Sequence, residues 1–259
     1  MALKVQNLHF DSAYATYLTD LNNTSGNVSN CYKALFLTNQ TFRNVKRVHL
    51  KSVEIPIGFV NVRTGSTDTF SFTSNGVNYS VVLAEHNYIS IASLIIALNI
   101  ACSTSSVPIT MAFSLNSANR VMINFVTSSA FTFNVIDTNF SYYLLGYRGA
   151  TDTVLNGQCT ANSSNYNLNF DNYISMSIPT LNSTNAYMSG TISTFKIPLN
   201  SQTNQIYYYF DNFSFNQFVD IADVNFVLSS LTIILTDRFG KNLNPNGLDY
   251  SFTLQIEYI

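Results

Sequence analysis

Hydrophobic and polar residues alternate along much of this chain, most regularly at residues 250–258. There Tyr250, Phe252, Leu254, Ile256 and Tyr258 share one face of an extended strand, and Ser251, Thr253, Gln255 and Glu257 share the other. A strand of this kind has one side to bury and one to leave partly solvated. That demand is met by an antiparallel sheet, because strands of covered parallel sheets are apolar on both faces. Asn246-Gly247 just ahead of it supplies a sharp turn.

An earlier stretch repeats the pattern with interruptions. Val45, Val48, Leu50, Val53, Ile55 and Ile57 approximate alternation, with one break between 45 and 48 and another between 50 and 53; a bulge at each break restores the register. Pro56 and Gly58 suit the end of a strand or an edge position. TFSFTS and VNYSVVL flank Asn75-Gly76, a two-residue hairpin signal. ITMAFSLNS and RVMINFVTS flank a turn at Asn116–Asn119, and AFTFNVID and FSYYLLGY continue the series of strands. Between these pairs, Ile91, Leu94, Ile95 and Leu98 fall at helical spacing with Asn87 or Ser90 as cap, although the isoleucine content also suits a buried strand.

From residue 171 onward, DNYISMSIPTL, GTISTFKIPL, NQIYYYF and DVNFVLSSLTIIL read as strands separated by Asn, Ser, Pro and Gly. One hydrophobic face must meet another, so these strands predict two antiparallel sheets packed face to face. The expected class is all-β: a jelly-roll sandwich with an inserted β-rich unit containing one helix. An immunoglobulin fold is disfavoured because there is no tryptophan and the cysteines do not bracket a core. The expected organisation is an N-terminal arm and loop over 1–42, a sandwich over 43–65 and 148–259, and an inserted strand-strand-helix-strand-strand unit over 66–147. Within the arm, TDLNNTSGNVSN reads as an exposed loop.

Composition changes the picture of the surface. Only 10% of the 259 residues are charged and 14% are aromatic, so the exterior is built largely from Asn, Ser and Thr. With a formal net charge of -2, copies of the chain repel one another weakly. A nucleotide drift toward these residue types explains the same composition in part.

Catalytic chemistry finds little support. His9, His49 and His86 form no compact ligand pattern, and neither GxSxG, GxxxxGK[ST] nor the dinucleotide glycine fingerprint occurs. Gly146 and Gly149 read as turn glycines. Asp220 with Asp223, and Asp237 in TDRFGKNLNPNG, read as Asx turns before they read as calcium ligands. Cys31, Cys102 and Cys159 are too widely spaced for a zinc site or a CxxC pair, and their odd number fits a reducing compartment. No signal-peptide pattern opens the sequence, and ISIASLIIALNIAC is too short and too interrupted to span a membrane. Asn22, Asn27, Asn182 and Asn212 head glycosylation sequons, read as chance matches in an Asn-, Ser- and Thr-rich chain.

Two clusters are candidate interfaces. Arg43, Lys46, Arg47, His49 and Lys51 form the densest cationic group, and with 12 Lys and Arg against 14 Asp and Glu the chain is not a dedicated nucleic-acid binder. Contact with a neighbour's carboxylates accounts for the cations equally well. Tyr207, Tyr208, Tyr209 and Phe210 place aromatic residues on both sides of a strand, which suits an interface, a sugar platform or a strand covered by a loop.

RVHLKSVEIPIGFVNV, NYISIASLIIALN, YYLLGY and DRFGKNLNPNGLDYSFTLQIEYI together resemble a known family. It comprises the penton and penton-like minor capsid proteins, single jelly-roll proteins of large icosahedral double-stranded DNA viruses and virophages. The resemblance spans most of residues 43–259. It implies that Val45–Ile57 is an early framework strand, that Asn87–Ala101 is the helix of the inserted unit, that Leu144, Leu145 and Gly146 close that unit, and that Leu248–Tyr258 is the terminal strand. It further implies a virion component without enzymatic activity or cofactor, assembled in the host cytoplasm or nucleus, five copies of which close a vertex and touch major capsid and other minor capsid subunits. The alternatives are another minor capsid or cement protein, or a carbohydrate- or receptor-binding β module; a hydrolase stands third.

Overall fold

The computed structural model describes residues 2–18, 33–56, 59–107, 109–125, 131–147, 151–154, 158–160, 165–169, 171–184, 194–199, 206–210, 217–243 and 248–259, with backbone alone at 17–18, 131, 151–154, 158–160, 182–184 and 206–210. In chain order the strands are β1 (Lys4–Asp11), β2 (Thr16–Leu18), β3 (Lys33–Arg43), β4 (Val45–Pro56), β5 (Thr69–Ser74), β6 (Val77–Val82), β7 (Met111–Leu115), β8 (Val121–Phe125), β9 (Phe131–Ile136), β10 (Thr151–Val154), β11 (Gln158–Thr160), β12 (Tyr173–Ser177), β13 (Thr194–Pro198), β14 (Ile206–Phe210), β15 (Phe218–Asp220), β16 (Val227–Thr236) and β17 (Ser251–Tyr258). A helix, α1 (Ile91–Thr104), lies between β6 and β7. The chain divides into two compact units, Met1–Phe59 with Asp171–Ile259, and Val60–Phe170.

The first unit is a jelly roll. One sheet runs β1-β17-β4-β14 with β15 also on β4, and the other runs β13-β12-β16-β3-β2, every pairing being antiparallel. Consecutive strands β3 and β4 lie in different sheets, as do β16 and β17, which is the strand exchange that defines the double Greek key. Asn44 makes the first of these crossings in a single residue at φ 51, a left-handed conformation that Asn tolerates better than most side chains.

The closing strand behaves as its alternation requires. Phe252, Leu254 and Ile256 are buried, while Ser251, Thr253, Gln255 and Glu257 on the opposite face are only half-buried. Phe252 stacks on Phe10 of β1 at 5.0 Å between ring centroids and meets Phe36 of β3 edge-on at 5.2 Å. Phe36 belongs to the second sheet, so this aromatic contact joins the two layers. Phe42 of β3 meets Tyr258 in the same edge-on manner at 5.1 Å.

The two interruptions in β4 are bulges. The register against β17 slips between Thr253 and Leu254, passing over Lys51, and again between Glu257 and Tyr258, passing over Lys46. Each extra residue returns the next apolar side chain to the core face, and Val45, Val48, Leu50, Val53 and Ile55 are all fully buried.

The N-terminal segment differs from the expected arm. Lys4–Asp11 pairs with β17 along its whole length, and Lys33–Arg43 pairs with β16. Phe10, Ala34, Phe36 and Phe42 supply the reason, since their burial stabilises these strands although β1 and the middle of β3 are mostly polar. The loop at 19–30 lies outside the described residues, as do Cys31 and the Asn246-Gly247 turn.

The second unit contains sheets β10-β9-β5-β6 and β11-β8-β7 with α1. Ser90 caps α1, its hydroxyl accepting from the Ser93 amide at 3.2 Å, and Ile91, Leu94, Leu98 and Cys102 form the buried face. Asn75 and Gly76 both take positive φ, 48° and 80°, which makes the two-residue hairpin expected from the sequence. At the second turn the Asn116 side chain accepts from the amides of Ala118 and Arg120, both at 3.0 Å. FSYYLLGY is a correction: Phe140–Leu145 forms a π-helical turn, closed by Gly146 at φ 83 with the Tyr147 amide donating to the Ser141 carbonyl at 2.9 Å. The apolar run buries Phe140, Leu144, Leu145 and Tyr147 together, a spacing that a strand cannot put on one side.

Replacing Phe252 with Ala is expected to cost about 3–5 kcal/mol in chemical denaturation, against less than about 1 kcal/mol for Thr253→Ala on the outer face. Burial also raises the Cys102 thiol pKa to about 11. Folding therefore favours the protonated thiol, and the resulting stabilisation is present in full up to about pH 9 and is lost as the pH rises toward 11. The stability difference between the native protein and Cys102→Ala should shrink over that interval in denaturation curves.

Candidate interface

The outer face of the sheet centred on β17 carries the polar half of the alternation. Its register sets Val5, Glu257, Arg47 and Asp220 in one row across four strands, and Asn7, Gln255, His49 and Phe218 in the next. Directly opposite residues point to the same side of a sheet, so these side chains meet.

Arg47 Nε donates to Asp220 Oδ1 at 2.5 Å, and the guanidinium lies 4.3 Å from the centre of the Phe218 ring. The hydrogen bond to Asp220 raises the Arg47 pKa above its ordinary value, outweighing the opposing effect of desolvation. His49 is 5% exposed, with Nε2 at 3.0 Å from Glu257 Oε1 and its ring 5.5 Å from that of Phe218. Further along the face, Gln255 Nε2 donates to Asn7 Oδ1 at 3.1 Å, and His9 Nδ1 lies 3.2 Å from Thr253 Oγ1. Arg47 is thus paired with Asp220, and His49 hydrogen-bonded to Glu257, within the sheet.

Of the cationic group singled out in the sequence, the fold brings Arg47 and His49 together. Arg43 is exposed at the end of β3 in the other sheet, opposite Val227. Lys46 and Lys51 occupy the two bulges of β4 and are half-buried. The bulges that repair the core register remove these lysines from the regular outer rows.

The aromatic run at β14 pairs with β4, setting Tyr207 opposite Ile55, Tyr208 opposite Glu54, Tyr209 opposite Val53 and Phe210 opposite Ser52. Its side chains lie outside the described residues. Sequence reading missed Asp220, Phe218 and Glu257 as members of the cluster. The signal for Glu257 was present, since it occupies an outward position of the closing strand; that for β15 was not, because three residues carry no period.

The other candidates for chemistry stay apart. His86 makes an isolated bridge to Val62 and packs edge-on against Tyr88 at 4.9 Å. Asp223 accepts from the Asn225 amide at 2.9 Å, and the buried Asp237 accepts from the amides of Phe239 and Lys241 at 2.8 and 2.9 Å, so both form Asx turns. Among the described residues no three His, Cys, Asp or Glu side chains are gathered in a metal-binding arrangement. No described helix is long and apolar enough to cross a membrane.

No protein-family model matches the chain, and no characterised protein sequence matches it. Among solved structures, the crystal structure of the mavirus penton protein matches over 100% of both chains at 14% identity and a TM-score of 0.43.

Asp220 is exposed and the Arg47 side chain partly so, and water therefore screens the pair. A double-mutant cycle with Arg47→Gln and Asp220→Asn should return a coupling of about 0.2–1 kcal/mol that falls as salt is raised.

Proposed function

We propose that this chain is a structural component of an icosahedral viral capsid, and specifically the penton that closes the five-fold vertices of a double-stranded DNA virus. The observation that carries the reading is the jelly roll itself, with its two antiparallel sheets and a β-rich unit inserted between β4 and β12. The motif resemblance of residues 43–259 supports it independently of the fold.

The surface chemistry suits a building block. Neutral, Asn- and Ser-rich exteriors approach one another with little Coulombic cost, and polar groups set the register of contacts whose attraction comes from apolar groups. Modest contacts repeated around a closed ring reinforce one another. The outer face bearing Arg47, His49 and Phe218, together with the adjoining β14 strand, is the surface proposed to meet a neighbouring subunit. Major capsid subunits are the second class of partner. The role requires no cofactor and no turnover.

Native mass spectrometry of the purified protein, alone and with shell proteins, should give a mass of five copies. A chain that stays monomeric in both conditions, and whose deletion leaves particles with complete vertices, contradicts the proposal.

A further inference from the structure

Gln217 bonds to both sheets of the jelly roll. Its backbone carbonyl accepts from the Leu50 amide of β4 at 3.0 Å, in the first sheet. Its side chain reaches β13, at the edge of the second sheet, where Oε1 accepts from the Lys196 amide at 2.7 Å and Nε2 donates to the Lys196 carbonyl at 2.6 Å. Outward backbone groups on an edge strand recur at every second residue, and two residues on, Pro198 has no amide to offer. The Gln217 side chain therefore occupies the outward pair at the centre of β13, the pair that a further strand would need.

The residues that follow run along β4. Phe218 lies opposite His49, Val219 opposite Val48 and Asp220 opposite Arg47, and the Ile221 amide donates to the Lys46 carbonyl at 2.8 Å. Val219 and Ile221 pack into the core, where Ile221 is buried and Val219 partly so. Phe218 and Asp220 are exposed, and Arg47 contacts both. The hold on this segment is slight: its ladder is three residues long, against eight for the pairing of β1 with β17. A segment with a short ladder and few buried side chains opens at less cost than the sheet beneath it.

We propose that residues 217–221 form a strap closing this flank of the jelly roll, with Gln217 as its latch, and that the strap lifts as one unit. The reason for concerted motion is that a single residue is fixed to two sheets. When the backbone at Gln217 leaves Leu50, its side chain cannot stay on Lys196. Lifting the strap uncovers β4 between Lys46 and Leu50 and β13 at Lys196 in one step, which turns a closed flank into two strand edges. The device belongs to one chain and does not depend on the capsid reading.

The test is residue-resolved amide hydrogen exchange of the full-length protein in native, Gln217→Ala and Ile221→Val forms. Both variants keep Arg47, His49 and Phe218, so the surface proposed to meet a neighbouring subunit is unaltered. In the native protein the amides of Leu50, Lys196 and Ile221 should share one protection factor within about threefold, and it should be lower than that of residues 252–256, which separates lifting of the strap from global unfolding. Gln217→Ala should speed exchange at Leu50 and Ile221 about tenfold, although neither amide bonds to the side chain removed. Ile221→Val should speed exchange at Lys196 about threefold or more. Protection at Lys196 that differs from that at Leu50 by more than about threefold, or that equals the protection of residues 252–256, overturns the proposal. So does a Gln217→Ala effect confined to Lys196, which would make Gln217 an isolated cap on β13, or an Ile221→Val effect that leaves Lys196 unchanged. If a variant does not fold, the comparison of the three amides in the native protein decides alone. None of these failures bears on the capsid reading, whose test is the mass of the assembly.

Discussion

The jelly roll depends on the burial of one row of side chains, Phe252, Leu254 and Ile256, between β17's own neighbours and the second sheet. β17 sits between β1 and β4, so its register fixes theirs, and a slip of one residue would turn the apolar row to water. Phe252 contacts rings from both β1 and β3, which ties the N-terminal strand and the opposite layer to the same residue. The bulges at Lys46 and Lys51 follow from that constraint: β4 can pair with a regular β17 and still bury all its apolar residues only by looping out one residue at each break.

A second device recurs through the molecule and accounts for part of its asparagine content. Asn61 holds both the amide and the carbonyl of Tyr88 at 2.9 and 2.8 Å, and Asn99 of α1 does the same for Phe113 at 2.6 and 3.2 Å. Gln217 treats Lys196 in this way as well. In each case a side-chain amide stands in for a strand partner, satisfying two backbone groups where no strand is available. A neutral polar composition therefore has structural uses in addition to moderating the surface.

Strong local periods made most of the fold legible in the sequence. The closing strand, the two bulged breaks in β4, the Asn-Gly hairpin and the Ser90 cap could each be read from neighbouring residues. What escaped was set by distant partners. β1 contributes one buried residue, Phe10, covered by Phe36 of the opposite sheet and by Phe252 near the other end of the chain, and FSYYLLGY forms a π-helical turn because four buried groups must gather on one side. The candidate interface was half legible for the same reason: Arg47 and His49 lie on one strand, whereas Asp220, Phe218 and Glu257 reach them only through the sheet. Lys46 and Lys51 look equivalent to Arg47 in the sequence, yet bulges set them aside.

Held between β1 and β4 by its buried row, β17 is among the most firmly held elements of the sandwich. Residue-resolved amide hydrogen exchange of the monomer under native conditions tests it most directly. The amides of 251–258 should be among the slowest in the chain, together with those of β4 and β16, and slower than those of β1. Exchange of 251–258 as fast as that of the β1 edge would contradict it.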